Sequence, residues 1–353
     1  MLPFRNDYAS GAHPAVLEAL CRTNRERTPG YGQDPYCQAA AAEILRLCRC
    51  PQGEVHFFTG GTQVNRAAIS ALLRPWEAAA APESAHILVH EAAAIEAAGH
   101  RILPCPAPVG KLTPEALEEA HAACAPEHMP ALRLACIANA TELGTVYTQG
   151  ELEALRQAAD RLGLLLYCDG ARLGPAIAAG GADLASHAAL CDAFTIGGTK
   201  LGLLFGEALV LPRPALLPAF RRCMKQQGAV LAKGRLLGAQ FSALLADGLL
   251  LSLASRANAL ARRLAAGLEA LGVPLLAPAE SNQLFPILPD GAAAALAREA
   301  EFETQCRLDG GRTCIRLVAA WDTEEADVDA LLALLRQILE AGNPPPAPPR
   351  NDD

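Results

Sequence analysis

Apolar and polar positions alternate along this chain with two different periods. Short apolar runs at 54–58 (EVHFF), 85–89 (AHILV), 133–138 (RLACIA), 162–169 (LGLLLYCD), 193–196 (AFTI) and 207–211 (EALVL) have the length and composition of strands. Between them, apolar residues recur at helical spacing over 35–49, 63–73, 91–99, 113–124 and 149–162. The segment from Thr113 shows how such a helix begins, with a capping threonine, Pro114 at the first helical position and acids in the first turn. Strands alternating with helices predict an α/β fold, a mostly parallel sheet with helices on both faces.

After residue 212 the texture changes. A long helical stretch over 213–271, interrupted near Gly228 and Asp247, leads into GVPLLAPAESNQLFPILP, another helix, TCIRLVAAW and a last helix to about 341. We therefore expect a large domain over 1–247 that includes an N-terminal arm, and a smaller C-terminal α+β domain over 248–342. The Pro-rich, charged tail at 343–353 is expected to hold no fixed structure.

Composition narrows the class. The chain has 353 residues, 51% hydrophobic and 19% charged, ample for a core. Its net charge of −8 argues against a nucleic-acid partner. The twelve cysteines are scattered through apolar runs, as free thiols in a reducing cytoplasm would be. Cys48-Arg49-Cys50 has neither the spacing nor the second pair of a zinc site, and no metal is expected. The N-terminus lacks a signal-peptide pattern, and no uncharged run reaches the ~18–20 residues of a membrane span. The expectation is a soluble, cytoplasmic protein with no membrane partner.

Four stretches carry candidate chemistry. Lys200 is the only charge between Asp192 and Glu207 and follows AFTI-GGT, which sets it just past the carboxyl end of a strand. Ligands bind at that edge of open α/β sheets, and a lysine desolvated there can form a Schiff base. A lysine reaching out of a loop to solvent is the alternative. Asp169 ends the strand-like LLLYCD, with Arg172 three residues on. A carboxylate so placed can keep the ring nitrogen of pyridoxal phosphate protonated, and the arginine can clamp a substrate carboxylate. Helix capping and a structural ion pair are the alternatives. FFTGGTQVN (57–65) is a strand, a glycine turn and a helix start, whose backbone N–H groups can hold phosphate. Finally, SAHILVHEAAAIE holds His86, His90 and Glu91 in a segment that reads as a strand, so the metal-binding geometry of a helix does not apply. A histidine there can lie against a cofactor ring, or simply be a satisfied, partly buried side chain.

Phosphate turn, histidine, strand-end aspartate and lysine, in that order, give the layout of the aspartate-aminotransferase fold type of pyridoxal-phosphate enzymes (fold type I). More narrowly, the chain resembles the threonine aldolases of the β-eliminating lyase family over most of its length. FRNDYASG resembles the family's N-terminal SDN/SDT stretch and YGQDPY (31–36) its YGDD motif. FTGGTQVN, AHILVHEAAAIE, NATELGTVYT (139–148), CDGARL (168–173), IGGTK, KQQGAVLAKGRLLGAQF and CIRLVAAWDTEEADV each resemble a family motif.

The resemblance implies pyridoxal 5'-phosphate as cofactor, held as a Schiff base on Lys200. It places the phosphate at Gly60, Gly61, Thr62 and Gln63, with Thr199 beside the lysine, and stacks His86 on the ring above Asp169. It gives the carboxylate of a small amino acid substrate to Asn6, Arg172 and Arg316. Tyr31 is implied to reach the site across a dimer interface, in a homodimer or homotetramer. The implied reaction is that of an aldehyde-lyase: reversible aldol cleavage of a β-hydroxy-α-amino acid, L-threonine or L-allo-threonine, to glycine and an aldehyde. His86 is the candidate base and Glu142 the second candidate. Departures from the pattern fall on Glu142, where some members carry a second histidine, and on Ala92-Ala93 in place of Cys-Gly. Where some members hold the phosphate with an arginine, this chain has Lys233 and Arg235 nearby; Lys233 is taken as the cofactor ligand. A β-eliminating lyase, transaminase or racemase of the same fold is the alternative enzyme, and a non-catalytic scaffold the alternative outside enzymes.

Overall fold

The computed structural model describes residues 1–342; the tail at 343–353, expected to lack fixed structure, lies outside them. Strand β1 (Leu2–Pro3) lies in the N-terminal arm, followed by β2 (Glu54–Phe58), β3 (Glu77–Pro82), β4 (Arg101–Cys105), β5 (Ala131–Ala138), β6 (Leu165–Asp169), β7 (Ala193–Gly197) and β8 (Glu207–Leu211). Strands β2 to β8 form one seven-stranded sheet in the order β2-β8-β7-β6-β5-β3-β4. Only β8 opposes its neighbours; the other strands run parallel, and buried apolar clusters cover both faces. The mostly parallel, helix-covered sheet anticipated from the alternation is therefore present.

Two local readings need correction. The 85–89 run is not a strand: His86–Val89 is one helical turn, and the helical pattern over 91–99 shrinks to a short 3-10 turn at Glu96–Ala98. The strands of that region are β3 and β4. β3 reads EAAAAP, with none of the β-branched or aromatic residues that mark strands, yet Ala78, Ala79, Ala80 and Ala81 are wholly buried between two neighbours. Small side chains there let helices approach both faces. β4 contains Pro104, which an edge strand tolerates, and β4 is the edge.

A smaller antiparallel sheet joins β9 (Gln283–Leu284), β10 (Ile287–Pro289), β12 (Glu303–Leu308) and β13 (Arg312–Val318), while β11 (Ala300–Glu301) pairs with β1. The start of the N-terminal arm thus belongs to the smaller unit, and Phe4 is fully buried in its core. The helix Leu249–Ala270 serves both units: Leu250, Leu253 and Ala254 enter the main core, Leu260, Leu264 and Leu268 the smaller one. A boundary at 247 consequently falls just ahead of a shared helix. The expected interruptions are real, since Gly228, Asp247 and Gly248 all have left-handed backbone (φ 70°, 51° and 71°). The run Arg235–Ala270 is apolar enough to cross a membrane by composition, but the Asp247–Gly248 break divides it and half of its apolar window is buried in the protein.

Candidate active site

Two of the candidate residues sit at the carboxyl ends of β6 and β7, where Asp169 is the last residue of its strand and Lys200 follows Gly197 by three. The two strand ends press together: the Gly170 N–H donates to Thr195 Oγ1 at 2.7 Å and the Gly197 N–H to the Gly170 carbonyl at 2.9 Å. A Cβ on Gly170 would collide with the Thr195 carbonyl, and one on Gly197 with Ala171, so glycine is required by close approach. One cavity is lined by Gly61, Asn65, His86, Glu142, Asp169, Arg172 and Lys200, together with small alanines.

Lys200 is partly buried, and its ammonium is held below its usual pKa by burial first and by the Arg172 guanidinium second, against the pull of Asp7, Asp169 and Glu207. Asp169 accepts from the Ala171 N–H at 2.9 Å and from Asn65 Nδ2 at 2.8 Å. Two donors thus fix the orientation of this carboxylate at the edge of the cavity. The helix Gly61–Leu72 starts with no side chain capping its first amides, while Thr59 donates its N–H and hydroxyl to Gln63 Oε1. A Cβ on Gly60 or Gly61 would meet nothing, and neither has positive φ, so within the chain nothing needs glycine there. The space those glycines leave, beside unbonded amides, fits a phosphate.

His86 has its ring Nδ1 2.8 Å from Glu91 Oε1, and its backbone N–H donates to Glu142 Oε1 at 2.9 Å. The other Glu142 oxygen is buried without a partner, and burial raises that carboxyl above its usual range. Arg316 has a buried Nε with no partner and no carboxylate within ion-pairing distance among the described residues. Burial and the nearby Arg172 lower its pKa; a cation so placed calls for an anion.

Arg172 is less free than expected. Its Nε and one Nη donate to Asp7 at 2.7 and 3.0 Å, leaving three of its five N–H donors for a ligand. Burial alone would raise the Asp7 carboxyl, but Arg172 and Lys200 bring it below its usual value. Asn282 also donates to Asp7 at 3.0 Å, so this residue ties the arm to both units. Its neighbour Asn6 uses Oδ1 on the Tyr8 N–H.

Two expected contributors lie elsewhere in the chain. Tyr31 is 48% exposed in a second hollow beside Arg221 and Gly234, with Lys225 Nζ 4.8 Å above its ring. Lys233 is exposed on the adjoining loop, hydrogen-bonded to the Tyr31 segment through Ala232. Arg235 is engaged structurally, donating to Thr23 and Asn24 carbonyls at 2.6 and 3.2 Å.

The chain matches the Beta-eliminating lyase family over residues 3–289. It belongs to that family. It is 34% identical to the low specificity L-threonine aldolase of Pseudomonas sp. (strain NCIMB 10558), across 96% of this chain and 98% of that one. A solved structure of Leishmania major threonine aldolase superposes with a TM-score of 0.94 at 43% identity, covering 96% of this chain and all of the other. Aspartate aminotransferase from Thermus thermophilus, at 17% identity, shares the fold with a TM-score of 0.71 over 96% of this chain and 91% of its own. The family makes the chain an enzyme of lyase type, and the resemblance read from its motifs holds.

Sequence reading missed Asp7, Asn65 and Glu207. Glu207 starts β8 opposite Gly197 and Phe58, is 4% exposed, and burial raises its carboxyl to about 8 against the opposing pull of Thr199 and Lys200. An acid whose folded pKa exceeds its unfolded value of 4.5 loses stability as pH rises between the two, because the unfolded chain ionises first. In the cofactor-free chain, Glu207→Gln should therefore gain stability over wild type as pH rises from 5 to 8, by at most ~1.4 kcal/mol per unit. Urea unfolding at both pH values checks this; a pH-independent difference contradicts it.

Proposed function

We propose that this enzyme is a pyridoxal-phosphate-dependent aldolase that cleaves L-threonine or L-allo-threonine to glycine and acetaldehyde. The observation that carries the reading is the convergence of Lys200, Asp169, His86 and Glu142 on one cavity beside an uncapped helix start. Lys200 would hold the cofactor covalently, with Thr199 beside it. The amides of Gly61, Thr62 and Gln63, next to Gly60, would hold its phosphate. Asp169 would pair with its ring nitrogen while His86 lies over the ring. When bound, the cofactor supplies an electron sink for charge left at the substrate Cα.

This chain's residues then decide which bond is weakened. Arg316, with Arg172 and Asn6, binds the substrate carboxylate and so sets the rotation about Cα. His86 Nε2, with Nδ1 turned to Glu91, takes the β-hydroxyl proton; Glu142, kept toward its neutral form by burial, is the second group able to move a proton there. The enzyme works as a homodimer or homotetramer in the cytoplasm. In that assembly the exposed Tyr31 and Lys233 segment completes a neighbouring protomer's site, with Lys233, unlike Arg235, free to meet the phosphate.

The absorption spectrum of protein supplied with pyridoxal phosphate and then dialysed is the test. A retained band at the visible edge supports the cofactor assignment, and a colourless protein overturns it. Arg316→Ala should lose one charge-assisted contact, about 1.5–3 kcal/mol, or roughly 10–10²-fold in kcat/KM. Steady-state kinetics with L-threonine checks this, and unchanged kinetics would remove Arg316 from the site.

A further inference from the structure

One buried polar chain lies behind the cavity, and the roles above use its ends but not the Asn65 amide that joins them. Asn65, on the helix that starts at the phosphate turn, is 1% exposed. Its Oδ1 accepts from the Tyr167 hydroxyl at 2.7 Å, which fixes the orientation of its amide. Both hydrogens of Nδ2 then face carboxylates, Asp169 Oδ2 and Glu91 Oε1, each at 2.8 Å. The same Glu91 oxygen lies 2.8 Å from His86 Nδ1. The Glu91 side chain is fully buried, its second oxygen has no partner, and no arginine or lysine pairs with it among the described residues. Asn65 and His86 are thus the two donors that sustain this buried anion.

An ionised carboxylate only accepts, so the nitrogen facing it must carry the hydrogen. We infer that Asn65 and Glu91 are positioning residues that fix His86 as its Nδ1–H tautomer, leaving Nε2 unprotonated, and link that choice to Asp169 through one amide. The inference deepens the proposed function, on which its catalytic consequence rests. In the reaction, the proton leaving the substrate β-hydroxyl arrives at Nε2, and the resulting imidazolium is neutralised by Glu91 through the Nδ1–H. Asn65 serves two ends of the site at once: it orients the carboxylate that would pair with the cofactor and the carboxylate behind the base.

The tautomer is read directly, without cofactor, from the ¹⁵N spectrum of the histidine-labelled full chain near pH 8, with His86 assigned by loss of its signals in His86→Gln. The expected result is a protonated Nδ1 and an unprotonated Nε2. Glu91→Ala should shift His86 toward the Nε2–H form. Glu91→Gln, whose amide oxygen still accepts, should retain Nδ1–H. In the loaded enzyme Glu91→Ala should lower kcat on the order of 10²–10⁴-fold, the range of a positioned base, with KM little changed. Glu91→Gln should recover part of that loss. A wild-type His86 in the Nε2–H form overturns the inference, as does a Glu91→Ala variant with wild-type tautomer and kcat. Should Glu91→Ala fail to fold, the wild-type tautomer and Glu91→Gln still decide it. Failure of the cofactor reading is recognised separately, because the apo-protein tautomer does not depend on it.

Discussion

Lys200→Ala is expected to abolish both the visible absorption of the cofactor-loaded protein and its turnover. The reason is local. Lys200 lines the cavity beside Asp169 and Arg172, where burial and the neighbouring guanidinium favour its neutral amine, the form able to attack a carbonyl carbon. Among the described residues no other lysine of the same chain lines this cavity. Losing covalent attachment should leave the cofactor held only by non-covalent contacts, and turnover should fall by at least ~10³-fold, as a positioned partner becomes one free to diffuse. Spectra before and after dialysis, with glycine assay, check both parts. A variant that kept normal turnover would remove Lys200 from the chemistry.

The second large effect is expected at Asp169. Asp169→Ala removes the acceptor of the Asn65 and Ala171 N–H groups and the negative charge that would pair with the cofactor's ring nitrogen. Two consequences should appear together: weaker cofactor retention, and a kcat reduced on the order of 10²–10³-fold, the usual result of removing one preorganised electrostatic partner. Asp169→Asn separates the two, because its shape survives while its charge does not. Rates for that variant equal to wild type would show that the ring nitrogen needs no anion.

Which parts of this site could be read from the sequence follows from where each signal resides. Asp169 ends a strand-like apolar run, Lys200 stands three residues past another and the 59–63 turn directly follows β2, so their place at one sheet edge follows from the α/β alternation alone. His86 lines the same cavity as Asp169 and Lys200 although its segment is a helical turn rather than a strand, and Glu91 and Glu142 fix it there through the fold. The β3 strand was hidden because packing, not propensity, makes Ala78–Ala81 a strand. Asp7 draws two of the Arg172 donors from 165 positions away, a contact that no local pattern encodes. Asn65 did leave a trace. It shares the buried face of its helix with Val64, Ala68, Ile69 and Leu72, and a polar residue on such a face requires partners. Glu207 left a similar one, as a lone acid opening a fully buried strand.

The central claim is that this site breaks the Cα–Cβ bond of a β-hydroxy-α-amino acid. It is tested most directly by incubating the wild-type protein and pyridoxal phosphate with L-threonine and quantifying the products. Glycine and acetaldehyde in equal amounts are predicted. Release of a keto acid and ammonia without aldehyde would contradict the claim and assign the same lysine and aspartate to elimination.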